Sequence, residues 1–98
     1  MDAGTEQELE ALRGWRRQGE ALVRELVMRD FDEALAMVEL LAHAAEDHFR
    51  RPDMCISEFN RVRLTIENPH HAGITLAEVR LAALTDAAIG DVGAASRT

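Results

Sequence analysis

The residues of this chain best suited to chemistry lie between Ala45 and Gly73: His48, His70 and His71, the pair Arg50-Arg51 directly before Pro52, and Glu46. An imidazole with an unperturbed pKa of about 6.5 can give and take a proton, so the three histidines are candidates for acid–base work. The arginines are not, because a guanidinium has no lone pair to offer and stays charged to above about pH 12. They suit a carboxylate or a phosphate. Histidines at a helix end and in a polar loop also need no function, since a cation is favoured at a helix C-terminus. Both readings stand at this level. Zn²⁺ on His48, His70 and His71 is disfavoured: the spacing matches no helix-based metal motif and two are sequence neighbours, so no metal and no cofactor is assigned. His43 reads as a surface residue, and Arg50-Arg51 reads equally as a solvated pair.

The chain that must position these groups has 98 residues, 47% apolar and 30% charged, which fits one globular domain over 1–98 with its core at about 14–90. A core this small favours burial shared between subunits, so a homo-oligomer is expected. The formal charge of −7 argues against a grip on nucleic acid or on an anionic membrane. All eleven basic residues are arginine, which suits bidentate partners but equally reflects codon usage. The lone Cys55 cannot form an intramolecular disulfide and reads as a packing residue in a strand. With neither a secretory signal nor an apolar run of membrane-spanning length in the sequence, a cytoplasmic location is expected.

Hydrophobic spacing and capping signals give the elements. Thr5 with Glu8 forms a capping box for a short helix with Leu9, Ala11 and Leu12 on its apolar face, Gly14 stopping it and Trp15 anchoring the segment over a sheet edge. Glu20 to Met28 fits a strand or part of a helix; the Asp30-x-x-Glu33 box that starts a new helix at Phe31 favours the strand. That helix runs to about His48 with Phe31, Ala34, Leu35, Val38, Leu41, Ala42 and Ala45 as its stripe, and Asp32, Glu33 and Glu39 on the solvated side. Pro52 blocks its continuation. Asp53 to Phe59 and the alternating Val62, Leu64 and Ile66 form a hairpin turning at Asn60-Arg61. Asn68-Pro69 ends it, and Thr75-x-x-Glu78 caps a last helix to Gly90, followed by a tail after Asp91 expected to be mobile. The order is helix, strand, helix, strand, strand, helix, an α+β arrangement with helices on one side of an antiparallel sheet.

Gly14-Trp15, Asp30-Phe31 with Ala34, Ala45-Glu46, Pro52-Asp53, Phe59-Asn60-Arg61-Val62 and Ala72-Gly73-Ile74-Thr75 come in the order and near-spacing of one family. The chain resembles the pterin-4a-carbinolamine dehydratases from about Gly14 to Ile89. The resemblance implies a four-stranded antiparallel sheet with three helices on one face, a short strand near Trp15 to Gln18 completing the four. It implies homodimers or homotetramers. It also implies removal of water from a 4a-hydroxytetrahydropterin; some members instead serve as dimerisation cofactors of a transcription factor, and one branch assists Rubisco assembly.

The family's acid–base groups are a His-His pair before the proline and a third histidine ahead of the last helix. Against those landmarks Arg50 and Arg51 take the places of the pair and Pro69 that of the third, while Glu78 replaces an aspartate and one extra residue lies between Pro52 and Phe59. Three readings follow. In the first, the site is degenerate and the protein binds a pterin-like molecule or a protein partner through Glu46, Arg50, Arg51, Pro52 and Glu78. In the second, His48, His70 or His71 has taken over acid–base chemistry on the family substrate or another one. In the third, the chain is an ordinary dehydratase. The replaced imidazoles rank the first ahead of the others.

Overall fold

Residues 3–12, 14–44, 52–68 and 73–90 are described by the computed structural model. Their elements run α1 (Ala3–Glu10), β1 (Arg16–Gln18), β2 (Ala21–Val27), α2 (Phe31–Ala44), β3 (Asp53–Ser57), β4 (Arg61–Glu67) and α3 (Leu76–Gly90). The four strands form one antiparallel sheet in the order β1-β2-β4-β3. The α+β architecture read from the sequence, including the short strand after Trp15, is the one observed.

Period-two alternation explains how the sheet divides its faces. Val62, Leu64 and Ile66 of β4 are buried while Arg61, Arg63 and Glu67 are exposed. Register places Leu26 opposite Val62 and Leu22 opposite Ile66, so β2 extends the same apolar face, and Met54 and Ile56 of β3 complete it half-buried. Onto this face α2 packs against β3 and β4, and α3 against β2 and β4, with α1 resting on α3. Ile74, Val79, Ala82 and Ile89 fill the space between helix and sheet. Each fully buried aliphatic side chain there contributes about 1.5–3 kcal/mol.

Both later capping boxes form in part, each with one of its two reciprocal side-chain bonds in place. The Glu33 amide donates to Asp30 Oδ1 at 2.8 Å, and the Arg29 amide to Glu33 Oε1 at 2.8 Å. The first box does not start its helix: α1 begins at Ala3, and Thr5 lies buried inside it. The helix also ends earlier than expected, at Glu10, and tightens through Leu12 N–H to the Leu9 carbonyl and Trp15 N–H to the Leu12 carbonyl. Gly14 is needed for a different reason from stopping a helix. A Cβ there would lie 2.5 Å from Nη1 of Arg24, so the missing side chain makes room for a guanidinium.

Three further expectations change. The buried stripe of α2 is Ala34, Met37 and Leu41, with Val38 and Leu40 partly buried, whereas Phe31 and Leu35 are exposed; the helix is rotated so that Met37 replaces Leu35 against the sheet. The hairpin turns over Glu58 and Phe59, which take left-handed φ of 50° and 59°, and β3 stops at Ser57. Asn60 instead clips the hairpin to the end of β2: its side-chain amide donates to the Met28 carbonyl at 3.0 Å and its own carbonyl accepts the Met28 amide at 2.8 Å. Cys55 points away from the core on the edge strand and is exposed, because its register partner Arg63 belongs to the outward face. The tail expected to be mobile lies outside the described residues.

Candidate functional site

Pro52 is buried at the head of β3, so the chain enters the hairpin at a fixed point. On the far side of the hairpin the chain re-enters the described region at Gly73, whose φ of +84° belongs to the left-handed region that glycine adopts without strain. Ile74 then plugs into the core at 4% exposure. Directly after it, the Thr75 amide donates to Glu78 Oε1 at 2.7 Å and the Thr75 hydroxyl donates to the same oxygen. The Glu78 amide returns a bond to the Thr75 carbonyl at 3.1 Å, so the entry to α3 is locked from both sides. A glycine bend, a core plug and a cap therefore follow one another within six residues.

Of the residues named from sequence, Pro52 and Glu78 are described. Pro52 stands at the start of an edge strand. Glu78 is buried, at 2% exposure, with its carboxylate turned to Thr75. Glu46, His48, Arg50, Arg51, His70 and His71 lie outside the described residues, as does Pro69. His43 is exposed on α2. Among the described residues no group of three or more His, Cys, Asp or Glu could hold a metal ion, and no helix is long and apolar enough to cross a membrane.

Sequence reasoning missed a network under the sheet edge. Arg24 sits on the helix-facing side of β2, opposite Leu64, and its Nη1 donates to Asp86 Oδ1 of α3 at 2.7 Å. The Trp15 indole N–H reaches the same oxygen at 2.8 Å. Arg24 Nε is buried without a hydrogen-bond partner. The only sequence signal was an arginine at a position whose alternation demanded an apolar residue.

Comparison with known proteins bears on the chain as a whole. The family model described as pterin 4 alpha carbinolamine dehydratase matches residues 2–88. A protein of Thermomicrobium roseum named "Putative pterin-4-alpha-carbinolamine dehydratase" is 42% identical over 74 residues, 76% of this chain and 78% of that one. A protein of the same name from Metallosphaera sedula is 30% identical over 81 residues, 83% of each. Among solved structures, the crystal structure of a transcriptional coactivator/pterin dehydratase from Brucella melitensis superposes with a TM-score of 0.75 at 26% identity, covering 90% of this chain and 95% of that one.

Proposed function

The chain belongs to the pterin-4a-carbinolamine dehydratase family, and from that premise we propose that it keeps the family frame but works as a binding or assembly protein rather than as an efficient dehydratase. One observation carries this reading. Buried Pro52 anchors the hairpin, and the two residues directly before it are Arg50 and Arg51, neither of which can accept a proton. Dehydrating a 4a-hydroxytetrahydropterin requires a proton for the departing hydroxide and a base for a ring nitrogen. Two guanidiniums supply neither. They offer instead charged, forked donors for a carboxylate or phosphate.

In this reading Glu46, Arg50, Arg51 and Pro52, with Glu78, form the ligand-binding set, and the ligand is a pterin-like molecule or a protein. The protein alternative draws support from the structural neighbour's description as a transcriptional coactivator as well as a pterin dehydratase. A homodimer or homotetramer in the cytoplasm, acting without a cofactor, completes the proposal.

A second reading keeps the chemistry. It is favoured by the relatives that share the dehydratase name and by three histidines, His48, His70 and His71, flanking the same segment. A titration of 7,8-dihydropterin into the protein, followed by ligand fluorescence, tests the binding reading through Arg50→Ala and Arg51→Ala. Weakened binding in both supports it; unchanged binding overturns the assigned residues. His48→Ala, His70→Ala and His71→Ala in a dehydration assay test the second reading, which requires at least one of them to lower the rate.

A further inference from the structure

Helix α2 has more apolar surface than the sheet takes up. Ala34, Met37 and Leu41 are buried against the sheet, yet Phe31 stays 49% exposed and Leu35 40%. Val38 and Ala42, half-buried, follow at three- and four-residue spacing, so Phe31, Leu35, Val38 and Ala42 run as a second apolar stripe along one flank of the buried one. Between its end residues this stripe spans about 16 Å at about 1.5 Å per residue. The Asn60–Met28 clip holds the hairpin turn, with exposed Phe59, at the end of the sheet where α2 begins. The charges beside the stripe are acidic and free. Asp32 and Glu39 lie next to it on the solvent side, exposed, and form no hydrogen bond or ion pair among the described residues. Helix α2 has no lysine or arginine; Arg29 ahead of it is engaged by Asp30 and Glu33, Arg61 of the hairpin by Glu58 and Glu25, and His43 sits near the end of the helix.

We propose that this flank of α2 is the docking surface for a basic amphipathic helix of a protein partner. Apolar side chains at three- and four-residue spacing form the ridge against which the apolar face of another helix packs, and Phe31 and Leu35 project far enough to act as anchors. The free carboxylates set the partner's charge. Lysine or arginine beside its apolar face would meet Asp32 and Glu39 across the rim, where opposite charge steers encounter and suppresses wrong partners. A second copy of the chain is the poorer occupant: a two-fold contact presents the same patch from both sides, which sets Asp32 and Glu39 beside their own equivalents in two chains that each carry −7. The edge strands β1 and β3 remain for pairing between copies. Docking on α2 involves none of Glu46, Arg50, Arg51, Pro52 or Glu78 and is independent of whether those residues bind a pterin.

The test is fluorescence anisotropy with a labelled amphipathic Leu/Lys peptide of about 18 residues, long enough to form a helix over the stripe. Beside it stand a Leu/Glu peptide of the same pattern and a Leu/Lys peptide of the same composition scrambled to lack an apolar face. The patterned Leu/Lys peptide is expected to bind about tenfold or more tightly than either control, and the combined Phe31→Ala, Leu35→Gln variant to lose about that factor. Leu84→Gln, exposed on α3, leaves binding unchanged. Asp32→Lys with Glu39→Lys transfers the preference to the Leu/Glu peptide, a gain that a damaged fold cannot produce. Equal binding of the patterned and scrambled peptides, no loss in the Phe31 and Leu35 variant, or no transfer of preference on charge reversal overturns the proposal. Sedimentation of the Phe31 and Leu35 variant without peptide is expected to show an unchanged oligomeric state; dissociation into smaller species overturns the proposal in favour of a second copy on this flank.

Discussion

The indole N–H of Trp15 donates to Oδ1 of Asp86, 71 residues further along the chain, at 2.8 Å. The bond ties the entrance of β1 to α3, and Arg24 closes the arrangement from β2 onto the same oxygen. Both ends of the ion pair are well shielded, with side-chain exposures of 14% for Arg24 and 24% for Asp86. Removing one partner leaves a shielded charge without its counter-ion.

Asp86→Ala is therefore expected to lower stability by about 2–3 kcal/mol, since it orphans both the Arg24 guanidinium and the Trp15 indole. Gly14→Ala is expected to cost about 1–2 kcal/mol, because its Cβ would press on a guanidinium held by Asp86. The two act on one network, so the double variant should lose less than the sum. Urea unfolding followed by the single tryptophan measures all three; full additivity would mean that Arg24 does not link the two positions.

The Glu25 carboxyl has a pKa lowered by the fold, which fixes a sign. A depressed folded pKa contributes stability above the unfolded pKa, and that contribution disappears as pH falls through the folded value. Glu25→Gln should thus be less stable than the parent near neutral pH, where the contribution is present, and converge on it once pH has fallen through the folded value, which flattens the acid limb of the stability curve. Carboxyl NMR titration should show Arg16→Gln raising the Glu25 pKa more than Arg63→Gln does, because the Arg16 hydrogen bond is the largest cause.

The hairpin turn makes a paired prediction. Phe59 is exposed with φ of 59°, where a side chain is strained, so Phe59→Gly is expected to stabilise the fold by up to about 1 kcal/mol. Asn60→Ala removes the clip to Met28 and is expected to cost about 1 kcal/mol. Thermal unfolding decides both, and a destabilised Phe59→Gly would show that the ring makes a contact in solution.

Legibility followed the range of the signal. Val62, Leu64 and Ile66 announced β4 because alternation is local, and Asp30 with Glu33, and Thr75 with Glu78, announced their helices because a capping signal spans only four residues. Arg16–Gln18 has no apolar signature and entered only through the family resemblance. The turn was misplaced because Asn60, a good turn residue, is used for a bond across 32 residues to Met28. Met37 was overlooked for Leu35 because the two flank the line of Ala34, Val38 and Leu41 on opposite sides, and only packing on the sheet selects the Met37 side. For the site, sequence supplied the candidates and the structure supplied the frame at Pro52 and at Gly73 through Glu78.

Glu78 separates a cap from a ligand-binding carboxylate. Glutamine also serves at this position of a capping box, so Glu78→Gln should stay within a few tenths of a kcal/mol of the parent while Glu78→Ala loses about 1 kcal/mol or more. If the carboxylate itself contacts a ligand, both variants lose dihydropterin binding alike although only the alanine variant is destabilised. Retained binding in Glu78→Gln would restrict the residue to holding the entry of α3.

The central claim, a dehydratase frame without efficient dehydration, is tested most directly by the rate at which the protein removes water from enzymatically generated 4a-hydroxytetrahydropterin, beside an ordinary family member that carries the histidines. The expected result is little or no acceleration over the uncatalysed reaction. A rate comparable to that of the ordinary member would contradict it.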